Sequence, residues 1–130
     1  MNLSVQKINQ IINATWVENF LPATIDSVSI DSRSLQNTVS TLFFALVGPN
    51  NDGHTYIGKL IESGVQNFVV QHIPTEFALQ ANFLTVKNTT VALQQLAAFH
   101  RHEFHFPIIG ITGSNGKTIV KEWLNFLLSP

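Results

Sequence analysis

Thr112-Gly113-Ser114-Asn115-Gly116-Lys117-Thr118 stands between two apolar stretches of different period, and its reading decides the fold. Before it, Pro107-Ile108-Ile109-Gly110-Ile111 has the β-branched character of a short buried strand; after it, residues 118–128 carry apolar side chains at helical spacing. A glycine-rich loop in that context lets successive backbone N–H groups turn toward one anion, and the helix N-terminus adds a favourable dipole. Gly113, Ser114, Asn115, Gly116, Lys117 and Thr118 are therefore the candidate nucleotide-binding residues. Lys117 is placed to reach the terminal phosphates of ATP and is the candidate catalytic residue, and the Thr118 hydroxyl is the candidate Mg²⁺ ligand. The common phosphate-loop pattern has glycine five residues before the Gly-Lys pair, where this chain has Ile111, so the match is to the variant Thr-Gly-x-x-Gly-Lys-Thr. The plainer alternative is a glycine-rich turn that caps an ordinary helix.

An enzyme that transfers a phosphoryl group also needs an acidic residue from a later strand and a surface for the acceptor. The 12 residues after Thr118 do not hold them. The expectation is a complete domain over residues 1–87, followed over residues 88–130 by the first strand, loop and helix of a truncated ATP-binding domain. Such a piece would bind ligands without catalysing a reaction.

The rest of the chain has the composition of a globular protein, with 45% hydrophobic and 12% charged residues in 130. A net charge of −1 and the lack of any Lys/Arg cluster argue against a nucleic-acid partner. The chain has no cysteine, so disulfides and thiolate zinc sites are ruled out, which suits a cytoplasmic location. Its first residues lack the basic and apolar regions of a signal peptide, and the apolar run at residues 42–47 is too short to span a membrane, so no membrane insertion is expected.

Ser4 caps a first helix that runs to about Ala14, with Val5, Ile8, Ile11 and Ile12 on one side. Residues 25–30 alternate apolar and polar as a half-buried strand does, and residues 41–47 read as a fully apolar strand closed by the turn at residues 48–53. A helix over residues 54–63 is stopped by Gly64, and short strands follow at residues 68–70 and 82–86. A longer helix spans residues 90–102 and is expected to bridge the two domains, packing on the first and on the strand at 107–111. Alternation of strand and helix makes this an α/β fold with a small mixed or parallel sheet and flanking helices.

Ligand sites in such sheets favour the carboxyl ends of strands, which makes neighbours of Asp31-Ser32-Arg33 and the loop from Gly48 to His54. Arg33 could clasp a diphosphate with two donors, and Ser32 and His54 could hydrogen-bond a base or ribose. The alternative is a pair of turns in which Asp31 and Asp52 satisfy nearby N–H groups and Arg33 is solvated. The histidines of His100-Arg101-His102-Glu103-Phe104-His105 stand two apart on a helix and point in different directions, so a polar helix end is the better reading than a metal site. Trp16, Trp123 and the 10 phenylalanines are read as core.

The run from Gly110 to Thr118 also resembles the nucleotide loop of the Mur ligases, the ATP-dependent amide-forming enzymes of peptidoglycan precursor synthesis. Asp31-Ser32-Arg33, then Leu42-Phe43-Phe44-Ala45-Leu46-x-Gly48, then Asp52-Gly53-His54 resemble that family's N-terminal domain in the same order. Residues 37–41 depart from the family, which often carries a Pro-Gly turn there. The resemblance implies that Ser32, Arg33, Asn50 and His54 hold the uridine-diphosphate end of a UDP-N-acetylmuramoyl-peptide. It also implies ATP and Mg²⁺ at the loop, an acyl-phosphate intermediate, and central and C-terminal ligase domains that lie outside these residues. Lys121-Glu122 looks most like the last ligase of the series, which adds D-alanyl-D-alanine to UDP-N-acetylmuramoyl-tripeptide. Runner-up readings are a Mur ligase that adds a single amino acid, a folylpolyglutamate-synthase-like ligase, and a non-catalytic nucleotide-binding module.

Overall fold

Local chemistry sets most of the elements. In the computed structural model, which describes residues 1–16, 22–33, 35 and 37–129, a first strand β1 (Leu3–Ser4) runs straight into helix α1 (Val5–Ile12). The Ser4 side chain accepts the Lys7 N–H at 3.1 Å, and Asn13 in the left-handed region (φ 50°) ends the helix. Val5, Ile8 and Ile12 are buried, as their spacing predicts. Strand β2 (Thr15–Trp16) follows; the Trp16 side chain, expected in the core, lies outside the described residues.

The strand expected over residues 25–30 is two strands in two sheets. β3 (Thr24–Ile25) pairs antiparallel with β1, while β4 (Ser27–Ser29) pairs parallel with β5 (Thr41–Phe44). Asp26 lies at the crossing, where its N–H donates to the Ser40 carbonyl at 3.1 Å. The alternation also fails to sort inside from outside, because β4 is an edge strand: Ile25 is buried, whereas Val28 and Ile30 are exposed. β5 ends three residues earlier than its apolar run, and Val47 instead bridges to Asp52. A 3-10 turn (Gly53–Tyr56) leads into α2 (Ile57–Glu62), and Gly64 at φ 95° allows the chain to turn back. β6 (Asn67–Val70), β7 (Asn82–Thr85) and α3 (Thr89–His102) complete the unit, with Asn88 accepting the N–H groups of Thr90 and Val91 as the α3 cap.

The larger sheet has the order β2-β7-β6-β5-β4, with β4 to β7 parallel and β2 antiparallel at one edge. Period-two alternation sends Leu42, Phe44, Val69 and Leu84 to one face, against Val5, Ile8 and Ile12 of α1 and Ala92 and Leu96 of α3. Phe43, Phe68, Val70 and Phe83 go to the other, against Ile57 and Leu60 of α2. The α/β mixed sheet with flanking helices is thus present. Asn67 and Asn82 are buried in register, with the Asn82 amide donating to Asn67 Oδ1 at 2.8 Å and the Asn67 amide to the Val39 carbonyl at 3.1 Å.

Residues 107–111, expected as a strand, have no strand partner among the described residues and form irregular chain, exposed at 107–110 and half-buried at Ile111; β-branching favours an extended backbone, but a strand also needs a neighbour to pair with. α4 (Lys117–Leu128) forms as its spacing predicts, and its aromatic side chains are exposed, Trp123 at 67% and Phe126 at 82%. Trp123 is therefore not core among the described residues. α3 packs on α1, while in its expected second partner, the stretch at 107–111, residues 107–110 are exposed.

Candidate functional site

The parallel arrangement of β4, β5 and β6 brings the loops at their carboxyl ends to one edge of the sheet. The first loop is shaped by its own polar side chains. Ser29 Oγ accepts the Asp31 N–H at 3.2 Å and donates to the Asp31 carbonyl at 2.9 Å. Asp31 Oδ1 accepts from the Arg33 N–H at 2.9 Å and from Nε at 3.0 Å, while Oδ2 accepts from Nη2 at 3.0 Å. This two-pronged pair, with the backbone bond beside it, holds the Asp31 carboxyl down at about 2 and raises the Arg33 guanidinium further. Arg33 is therefore braced rather than free, although its side chain is 86% exposed.

The second loop is held by backbone. Gly48 N–H donates to the Asn51 carbonyl at 2.8 Å, and Gly53 N–H to the Leu46 carbonyl at 2.8 Å. A Cβ on Gly53 would lie 2.8 Å from Ala45 Cα and from Leu46 N, so the two passes of chain approach as closely as only glycine permits. Asp52 Oδ1 accepts the His54 N–H at 2.9 Å and Nδ1–H at 2.6 Å, which holds its carboxyl below the usual range. His54 Nε2 accepts the Gln71 N–H at 3.0 Å, which fixes the neutral tautomer with the proton on Nδ1. His72 stacks on the ring at 4.2 Å between centroids, 9° from parallel. The His54 side chain is 5% exposed and ties the loop after β5 to the end of β6.

Between these loops lies a cleft of about 730 Å³. Of the residues expected there, Ser32 and Arg33 line it; Asn50 and His54 do not. Asn51, Tyr56 and Lys59 line it instead, together with the buried Gly53 at its floor. Asp31 and Asp52 accept the N–H groups of Arg33 and His54, as the plainer alternative has it, and the cleft lies beside these turns. Tyr56 and Lys59 were legible as the polar side of a helix whose Ile57 and Leu60 face inward, a spacing that places them one turn apart.

The phosphate loop has the backbone that its glycines permit, with Gly116 left-handed at φ 78° immediately before α4. Gly116 offers no side chain to cap the helix, so the N–H groups of the first turn face outward. Lys117 Nζ folds back to donate to the Gly113 carbonyl, across the mouth of the loop. Ser114, Asn115 and Thr118 are exposed around it. An accessible set of N–H groups, a lysine arched over them and a hydroxyl beside them fit a nucleotide phosphate with its Mg²⁺. Elsewhere Lys121 pairs with Glu122 at 2.7 Å, and His100 Nδ1 meets Glu103 at 3.0 Å. Among the described residues no group of His, Asp and Glu is placed to hold a metal, and no helix is long and apolar enough to cross a membrane.

Comparison with models of protein families finds no match. Individual proteins do match. The UDP-N-acetylmuramoyl-tripeptide–D-alanyl-D-alanine ligase of Buchnera aphidicola is 33% identical across 98% of this chain and 28% of its own length. The UDP-N-acetylmuramoyl-L-alanyl-D-glutamate–2,6-diaminopimelate ligase of Clostridioides difficile is 36% identical across 95% of this chain and 26% of its own. The solved UDP-N-acetylmuramoylalanyl-D-glutamyl-2,6-diaminopimelate–D-alanyl-D-alanyl ligase of Acinetobacter baumannii superposes with a TM-score of 0.86 at 29% identity, over 99% of this chain and 28% of that one. The chain spans about a quarter of the length of these relatives. Over that quarter it is a homologue of the Mur ligases, in sequence and in fold.

Proposed function

We propose that this chain supplies the UDP-substrate cleft and the phosphate loop of an ATP-dependent ligase that joins D-alanyl-D-alanine to UDP-N-acetylmuramoyl-tripeptide in peptidoglycan precursor synthesis, in the cytoplasm. Residues 1–87 form the substrate-binding domain, and residues 88–130 begin the ATP-binding one. The observation that carries the reading is the cleft itself, in which Ser32 and the braced Arg33 face Asn51, Tyr56 and Lys59 at the carboxyl edge of a parallel sheet. ATP with Mg²⁺, when bound, supplies the phosphoryl group that activates the substrate carboxylate toward attack by an amine. The chain's own part is to hold and neutralise. The N–H groups of the loop and the first turn of α4 would hold phosphate oxygens, Lys117, which donates to the Gly113 carbonyl here, would neutralise them, and Thr118 would offer its hydroxyl to the metal. Arg33 and Ser32 fix the far end of the substrate and so orient its reactive carboxylate.

The D-alanyl-D-alanine acceptor is favoured over a single amino acid by the Lys121-Glu122 pair and by relatives such as that from Buchnera. Diaminopimelate, named in the Clostridioides relative, is the second reading. Titration calorimetry with UDP-N-acetylmuramoyl-tripeptide tests the cleft. Each charge-assisted hydrogen bond lost in Arg33→Ala contributes on the order of 1.5–3 kcal/mol, so affinity should fall by at least several-fold. Equal affinity for both proteins would remove Arg33 from the site.

A further inference from the structure

We propose that Lys59 is the cation that receives the diphosphate in this cleft, an assignment that rests on reading the cleft as the UDP end of the site. Two cationic side chains line it, Arg33 from the loop after β4 and Lys59 from α2. Among the described residues Asp31 is the single carboxylate in the lining, and it is already committed to Arg33 through Nε and Nη2. That pair cancels its own charge, so the net positive charge of the cleft comes from Lys59. Among the described residues no hydrogen bond or ion pair occupies the Lys59 ammonium, and Glu62, one turn further along α2, does not line the cleft.

The position of Lys59 is fixed by what surrounds it. Ile57 and Leu60 on either side of it in sequence are buried in the core, which turns Lys59 outward to the cleft side of α2. Tyr56, one turn earlier, is held by its hydroxyl donating to Asn51 Oδ1 at 3.2 Å, so the wall on which Lys59 stands is tied to the loop after β5. A compact ammonium with three rotatable donors suits an anion whose oxygens present no single plane, whereas the braced guanidinium of Arg33 has a fixed direction. The division assigns the negative charge of the ligand to Lys59 and its orientation to Arg33.

The test compares UDP with uridine by titration calorimetry on the unaltered chain and on Lys59→Gln, Lys59→Arg and Arg33→Ala. Lys59 is exposed, so its variants keep the fold, which circular dichroism checks. Lys59→Gln should weaken UDP about tenfold, leave uridine unchanged and flatten the salt dependence of UDP binding, while Lys59→Arg should restore most of the affinity. Unchanged UDP affinity in Lys59→Gln together with a loss in Arg33→Ala would overturn the Lys59 assignment alone. An equal loss for UDP and uridine would show a positional role and overturn it as well. An unaltered chain that binds neither ligand would bring down the cleft reading and this assignment with it.

Discussion

Asp31 and Arg33 are two residues apart, and their pairing converts a flexible surface arginine into a directed one. The linkage has a definite sign. The folded Asp31 carboxyl lies at about 2, below its ordinary 3.8, so its contribution is fully present above 3.8 and is lost as pH falls through about 2. Following the Asp31 carboxyl by NMR should therefore give a midpoint near 2, and Arg33→Ala should move it up toward the ordinary range, with the backbone N–H of residue 33 still holding it somewhat down. A midpoint that stays put in the variant would show that the guanidinium is not the cause. At this scale the sequence shows why Ser32 and Arg33 come to line the cleft, since they follow a strand directly. Chain position says nothing about side-chain direction, and His54 does not line the cleft: both its ring nitrogens are taken by Asp52 and Gln71.

Elements were legible where periodicity and caps agreed. Ser4 before Val5, Ile8 and Ile12 gives α1, and the apolar run at β5 gives a strand buried on both faces. The division at Asp26 was not legible, since an alternating pattern does not say which sheet a strand joins. Nor does a β-branched run such as residues 107–111 supply the partner that would make it a strand. The loop after β5 depends on a contact invisible in sequence, the approach of Gly53 to the backbone of Ala45 and Leu46. Gly53→Ala should cost about 1–3 kcal/mol, because backbone must move. Gly58→Ala makes a useful comparison, since its Cβ would meet the Phe77 ring edge at 2.8 Å and that ring can swing aside. Urea denaturation should rank Gly53→Ala as the more damaging; the reverse order would mean that the loop yields more easily than the ring.

Across the whole molecule, the parallel strands β4 to β7 lie in the sheet in the order in which they occur in the chain, while β2 crosses from the amino-terminal end to pair Thr15 with Thr85. That one feature bears on how the chain reaches its native state. Neighbouring strands meet after short loop closures, whereas joining β2 and α1 to the far edge closes nearly the whole unit at once, and the entropy of that closure must be met before its contacts reward it. The rate-limiting nucleus should thus contain β5, β6 and β7, with α1 and β2 docking afterwards. In stopped-flow kinetics, Val69→Ala in β6 should chiefly slow folding, while Ile12→Val in α1 should leave the folding rate nearly unchanged and speed unfolding. If Ile12→Val slows folding as much as Val69→Ala does, the amino-terminal helix is part of the nucleus. On the expected result, β2 and α1 would also be the first pieces to leave when the protein unfolds.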